Sequence, residues 1–172
     1  MRLRELEEKD APLMLEWMHD SSVVEYMQAD FASKTLEDCI QFIHSSSDED
    51  SHFAVVDDKD EYMGTASLKH ITDDDAEFAI TIRKAAMGKG FSSFAMKEII
   101  NYGFDTLKLN SIYWCVNPEN KRAVRFYDKN GYERIDKKEF SGGYTPEQVQ
   151  KYIWYQISKK SMTLVSGTLK KV

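Results

Sequence analysis

The segment that most narrows the fold is Met87–Ser93, MGKGFSS, which joins a strand-like run, AEFAITI, to a helix-like run, FAMKEIINYGF. Paired glycines at a strand-to-helix turn serve where something must approach the backbone closely. A P-loop requires GxxxxGK[ST], but Lys89 is followed by Gly90, so that reading fails. A dinucleotide fingerprint requires GxGxxG. Gly88 and Gly90 fit it, but Ser93 takes the third place, and no acid closes the strand 111–116 where a ribose would need one. The turn also falls halfway along the chain, after a meander. Two readings stay open from this stretch alone. One is a plain glycine turn before a core helix. The other is a phosphate cradle, in which free N–H groups and the dipole of a helix N-terminus bind the anion and Lys89 adds a positive charge.

The rest of the chain supplies the frame. MRLREL alternates as a first strand. EKDAPLMLEWMHD is a helix, with Asp10 as N-cap and Pro12 early in it, and SKTLEDCIQFIHSS is a second, capped by Ser33 or Thr35. HFAVVD, YMGTASLKHI and DDDAEFAITI form a three-strand meander whose first turn is DKDE. A helix over 90–105 follows the glycine turn, then the strand SIYWCVN. Next comes a helix in PENKRAVRFYDKNGY, with Pro118 ahead of it and Gly131 closing it. YERIDKKEF and KYIWYQISKK read as a final antiparallel pair across the polar loop SGGYTPEQ, and the tail 161–172 is unassigned. This order predicts an α/β fold, a mixed sheet with helices on both faces, in one domain over residues 1–160.

Charge and cysteine content limit the partners. The net charge of -6 offers no basic face for a nucleic-acid backbone. No apolar run is long enough to span a membrane, and no basic start with an apolar run marks a signal peptide. Cys39 and Cys115 are far apart with no CxxC pair, which reads as two reduced thiols and a cytoplasmic protein. No His, Cys, Asp and Glu set has metal-ligand spacing.

The segment VNPENKRAVRFYDKNGYE resembles the closing signature of the GNAT N-acetyltransferase superfamily, N-x-x-[SA]-x-x-x-Y-x-K-x-G-[FY]. Asn120, Ala123, Tyr127, Lys129, Gly131 and Tyr132 take its places. MGKGFS falls where that family carries [QR]-x-x-G-x-[GA], its acetyl-CoA pyrophosphate loop. Gly90 matches, while Met87 and Ser92 depart from the pattern. The resemblance covers roughly residues 1–160 and implies a mostly antiparallel sheet whose fourth and fifth strands splay apart. WMHDSSVVEYM is similar to a stretch of family members that acetylate amino-sugar nucleotides. AEFAITI is similar to the fourth strand of the RimJ/RimL-like branch, which acetylates protein N-termini.

The roles implied are those of direct acetyl transfer from acetyl-CoA to a primary amine. Backbone N–H groups of Gly88, Lys89, Gly90, Phe91 and Ser92 would hold the pyrophosphate. The strand 78–82, with Phe78, Ile80 and Ile82, would pair with the pantetheine and turn a free N–H near Phe78–Ile80 toward the thioester oxygen. Asn120, which also suits the N-cap of its helix, and Ala123 would complete the cofactor contacts. Tyr127 would be the general acid toward the leaving thiolate; read from the residues alone, it is an aromatic on the apolar face of its helix. Glu77 would be the general base, directly or through a water. His19, His44, His52 and His70 are alternatives, His19 foremost because of its place on the first helix. The acceptor expected is a small amine, an amino-sugar nucleotide ahead of a polyamine or a protein N-terminus, and a homodimer is left open. A CoA-binding module without catalysis is the competing reading that Met87 and Ser92 raise.

Overall fold

A computed structural model describes residues 1–27, 29–136 and 144–161. β1 (Arg2–Glu5) is followed by α1 (Ala11–Met18), α2 (Ser21–Val24) and α3 (Leu36–Ile43). The meander β2 (Ser51–Val56), β3 (Tyr62–Lys69) and β4 (Asp75–Ile82) leads through the glycine turn into α4 (Phe91–Asn101). Then come β5 (Ser111–Val116), α5 (Lys121–Lys129), β6 (Glu133–Ile135), α6 (Pro146–Lys151) and β7 (Ile153–Ser158). The strands make one sheet in the order β1-β2-β3-β4-β5-β7-β6. Every pairing is antiparallel except β4 with β5. The mixed sheet expected from the sequence is therefore present.

Two cores cover the two faces. The alternation of β3 and β4 turns Ala66, Leu68, Phe78 and Ile82 to one face, where α4 buries Phe91, Ala95, Met96, Ile99 and Ile100 at helical spacing. On the other face α1 and α3 bury Met14, Trp17, Met18, Cys39 and Ile43 against Ala54, Val56 and Tyr62. Thr35 caps α3 through a reciprocal box with Asp38.

Several elements depart from the sequence-based expectation. Asp10 does not cap α1 with its side chain. Arg4 Nη1 and Nη2 reach its carboxylate at 2.7 and 2.8 Å, and the Glu7 amide donates to it at 2.9 Å, so a cross-element ion pair has taken the cap's oxygens. The helix expected over 90–105 is α-helical only to Asn101, and Tyr102–Thr106 widens into a π turn. Thr145 and Gln148 form a capping box that starts α6 with Pro146 in its first turn, where a polar loop was expected. The strand expected in YERIDKKEF is confined to Glu133–Ile135, and its end at 137–140 lies outside the described residues, as do residues 141–143 and the tail from 162. The short α2 was not foreseen.

Candidate active site

The site begins where β4 and β5 part. Their parallel pairing holds at Asp75–Ser111, Ala76–Ile112 and Glu77–Tyr113 and stops there. Beyond it, β4 continues to Ile82 along β3, while β5 continues to Val116 along β7. Phe78 and Trp114, the first residues past the last pair, set their rings edge to face at 5.7 Å across the opening.

The glycine turn lies at the end of β4. Gly88 and Gly90 take φ of +77° and +87°, left-handed values that favour glycine. An added Cβ would meet nothing within 4 Å at Gly88 and only the Met1 Cε, at 4.0 Å, at Gly90. The glycines thus serve the backbone conformation and leave open space over it. Gly90 is the N-cap of α4, so the amides of Phe91 and Ser92 begin the helix without intrahelical acceptors. The Lys89 amide is engaged by Ala86 O at 3.4 Å, so of the five amides proposed for the cradle this one is not free. Arg122 of α5 places Nη1 2.9 Å from Met87 Sδ, which sets a cation beside the position where the family's polar residue is missing. Open backbone, a helix N-terminus and nearby cations fit an acyl-CoA pyrophosphate.

Tyr127 approaches the splay from α5, on the α4 side of the sheet. It is 8% exposed and packs on Trp114 and Tyr155, with ring centroids at 5.3 and 5.1 Å. Burial pushes its phenol well above the ordinary value, so it stays protonated. Its helix is anchored at both ends. Asn120 Oδ1 accepts from the Ala123 amide at 3.1 Å, which bears out the capping role. Asp128 accepts from Arg134 Nε at 2.9 Å and from the Tyr155 hydroxyl at 3.0 Å.

Glu77 lies on the opposite face, at the vertex of the splay. It is 2% exposed. Its Oε1 accepts a hydrogen bond from the Tyr144 hydroxyl. Lys69 Nζ and His70 Nε2 stand 3.3 and 3.5 Å from Oε2. Cys115 shares this enclosure, and burial pushes its thiol up to about 12. The carboxylate is thus enclosed, and any proton it takes must reach it through an intervening group.

From that vertex a cavity of about 460 Å³ runs across the same face of the sheet, beneath α1 and α3. Ala79, Ile80 and Thr81 line it on β4, Thr65, Ser67 and Lys69 on β3, and His52 on β2. Trp17, Phe31 and Phe42 supply aromatic walls. Trp17 is fixed by its Nε1, which donates to the Tyr62 hydroxyl at 3.0 Å; that oxygen and Thr65 Oγ1 are 2.6 Å apart. Arg83, at the end of β4, donates Nε and Nη2 to Glu16 of α1 at 3.0 and 2.9 Å, and so ties the helix over the cavity to the strand beneath it.

The structure thus brings Glu77, Phe78, Ile80 and Tyr127 to the splay and Gly88–Ser92 to its end. Of the other base candidates it brings His70 to the vertex, with Nε2 3.5 Å from Glu77 Oε2, but not His19 or His44. His19 is exposed and its Nε2 lies 2.9 Å from the Lys34 carbonyl; His44 is exposed and pairs with Glu8 at 3.0 Å. Tyr144, Lys69, Ser67 and Arg83 were not singled out by the sequence. Tyr144, Ser67 and Arg83 acquire their places through partners 15 to 67 positions away, which no local spacing announces, and Lys69 meets Glu77 across the β3–β4 hairpin.

A parallel pair of strands that opens above a glycine-turned helix N-terminus, with a buried tyrosine on the next helix, defines a transferase that draws its acyl group from a CoA thioester. The acetyltransferase (GNAT) domain family matches residues 1–133, and the chain belongs to it. It is an N-acetyltransferase with acetyl-CoA as donor. An N-acetyltransferase called p20, from Bacillus licheniformis, is 30% identical over 141 residues, 78% of this chain and 79% of that one. Acetyltransferase PseH of Campylobacter jejuni is 25% identical over 134 residues, 77% of this chain and 82% of that one. A spermidine N-acetyltransferase of Vibrio cholerae, solved with CoA and spermine, superposes with a TM-score of 0.73 at 24% identity over 92% of this chain and 95% of that one. Among the described residues no helix is long and apolar enough to cross a membrane.

Proposed function

We propose that this N-acetyltransferase acts on a small primary amine carried by a sugar, such as an amino-sugar nucleotide, bound in the cavity under α1 and α3. The observation that carries this is the make-up of the cavity. Its walls hold three aromatic rings and several hydroxyls, with Lys34 and Lys69 against Asp38 as the one carboxylate among the described lining residues. That carboxylate is already engaged by the Thr35 amide and hydroxyl, each at 2.8 Å. An extended polycation needs carboxylates along its path. Rings, hydroxyls and lysines suit a sugar, a base and phosphates.

In this reading the acetyl group passes directly to the amine: the N–C bond forms as the C–S bond breaks. Free amides at Gly88, Gly90, Phe91 and Ser92 hold the pyrophosphate, and Lys89 contributes its charge. An N–H of β4 between Phe78 and Ile80 faces the thioester oxygen, a contact of the kind worth ~3–4 kcal/mol in a transition state. Tyr127 gives its proton to the sulfur. The amine's proton passes to Glu77 through a water, as the enclosure of that carboxylate requires. A second reading, a polyamine acceptor, is favoured by the spermidine acetyltransferase likeness. Thiol release from acetyl-CoA with UDP-glucosamine, spermidine and an N-terminal peptide separates them. Turnover of spermidine but not of UDP-glucosamine would replace the first reading with the second.

A further inference from the structure

His52 is a buried titratable group that the reaction just described leaves unused. It sits on β2 and is 7% exposed. Its Nδ1 is 2.8 Å from Ser67 Oγ on β3. Its ring lies on Phe42 of α3, with centroids 4.3 Å apart. Two contacts from two elements therefore fix the ring, which lines the cavity. Among the described residues no protein group hydrogen-bonds Nε2. Burial lowers its pKa, with Asp50 opposing and Lys69 reinforcing the shift, so the imidazole is neutral near pH 7.

The sheet order fixes what this ring can touch. β2 is separated from β4 by β3, so His52 stands two strand spacings, ~10 Å, from the backbone that lines the splay. A nitrogen there is too far to take the proton of the reacting amine. It is well placed to meet the body of an acceptor whose amine lies against Ala79–Thr81. The Ser67 hydroxyl can donate to Nδ1 or accept from it, so Nε2 either donates or accepts. A hydroxyl group is the partner that suits both states. An ammonium suits only one, and Lys69 alongside disfavours it.

We infer that His52, oriented by Ser67 and Phe42, is a specificity-determining residue that hydrogen-bonds a hydroxyl on the acceptor's body, remote from the amine that is acetylated. This rests on the proposed acceptor class and sharpens it: the acceptor is a polyhydroxylated amine, and the enzyme discriminates against bare alkyl amines at this point.

The test compares the parent protein with His52→Leu and His52→Gln, using UDP-glucosamine and spermidine as acceptors. His52→Leu should raise KM for UDP-glucosamine ~10–100-fold with little change in kcat, and leave KM for spermidine unchanged. His52→Gln, which keeps a donor and an acceptor, should recover most of the loss. In the parent, the His52 Cε1–H resonance should shift on addition of UDP-glucosamine in the presence of CoA. An equal rise in KM for both acceptors would reduce His52 to a packing residue. An unchanged KM, or a His52 resonance that does not move at saturating UDP-glucosamine, would overturn the inference while leaving the proposed acceptor standing. A parent protein that acetylates spermidine alone would overturn both.

Discussion

Replacing Tyr127 by phenylalanine separates chemistry from folding at this site. The ring is held by Trp114 at 5.3 Å, Tyr155 at 5.1 Å and Phe126 at 5.4 Å between centroids, and phenylalanine keeps all of these contacts. The hydroxyl takes no hydrogen bond from the described residues, so its loss removes no native partner. Stability should therefore change by less than ~1 kcal/mol, about 2–4 °C in Tm for a chain of this size. The raised pKa means that the phenol is a proton donor throughout the neutral range. If it protonates the leaving sulfur, turnover should fall ~10²–10⁴-fold, the usual worth of a positioned acid, which corresponds to about 2.7–5.4 kcal/mol in the barrier. Binding of acetyl-CoA, measured by calorimetry, should be preserved. The assay is thiol release at saturating acceptor, run beside thermal denaturation of the same preparation. Turnover within threefold of the parent would show that water protonates the thiolate. A large drop in Tm would show that the hydroxyl has a structural partner and that lost activity says nothing about acid catalysis.

Gly90→Val puts a β-branched residue at φ +87° and a side chain over the open amides, so acetyl-CoA affinity should fall at least tenfold in the folded protein; unchanged calorimetric affinity would remove this turn as the cradle. Glu77→Gln keeps an acceptor for Tyr144 but removes the charge facing Lys69 and His70. It should lower kcat/KM most at low pH and least at high pH, where more of the amine is already neutral; a profile scaled equally at every pH would exclude Glu77 as base. Gly64→Ala places a Cβ 2.3 Å from the Thr81 carbonyl oxygen, a backbone atom that cannot yield cheaply, and should cost ~1–3 kcal/mol; a Tm equal to the parent's would mean that β3 and β4 shift apart freely.

What the sequence disclosed about this site depended on how local each signal was. The glycine turn is decided within a few residues of backbone, and Gly88 and Gly90 are the residue type that its left-handed angles favour. The helix of Tyr127 carried its own cap at Asn120 and its own stop at Gly131, so its register was legible too. Asp10 had the right type and place for a cap, but Arg4 claims its carboxylate from the neighbouring strand, and no window of sequence shows that competition. The signal for α6 was present in TPEQ, a threonine with glutamine three residues on, and was outweighed by the glycines before it. The cavity was invisible because residues from Trp17 to Thr81 line it, drawn from two helices and three strands. Its wall is fixed by Arg83 reaching Glu16, 67 positions away.

The parting of β4 and β5 also gives this sheet an edge in its interior. Past Glu77 and Tyr113 neither strand pairs with the other, so backbone groups that a continuous sheet would satisfy face the gap. Such edges invite foreign strands and weaken protection against solvent exchange. An extended donor lying in the gap would act as the missing strand and close the sheet for as long as it is bound. A ligand at a hundred times its dissociation constant adds about 2.7 kcal/mol to the folded state. Resistance of this chain to proteolysis, and amide exchange along Phe78–Ile82, would then track the concentration of CoA and its thioesters, acetylated or not.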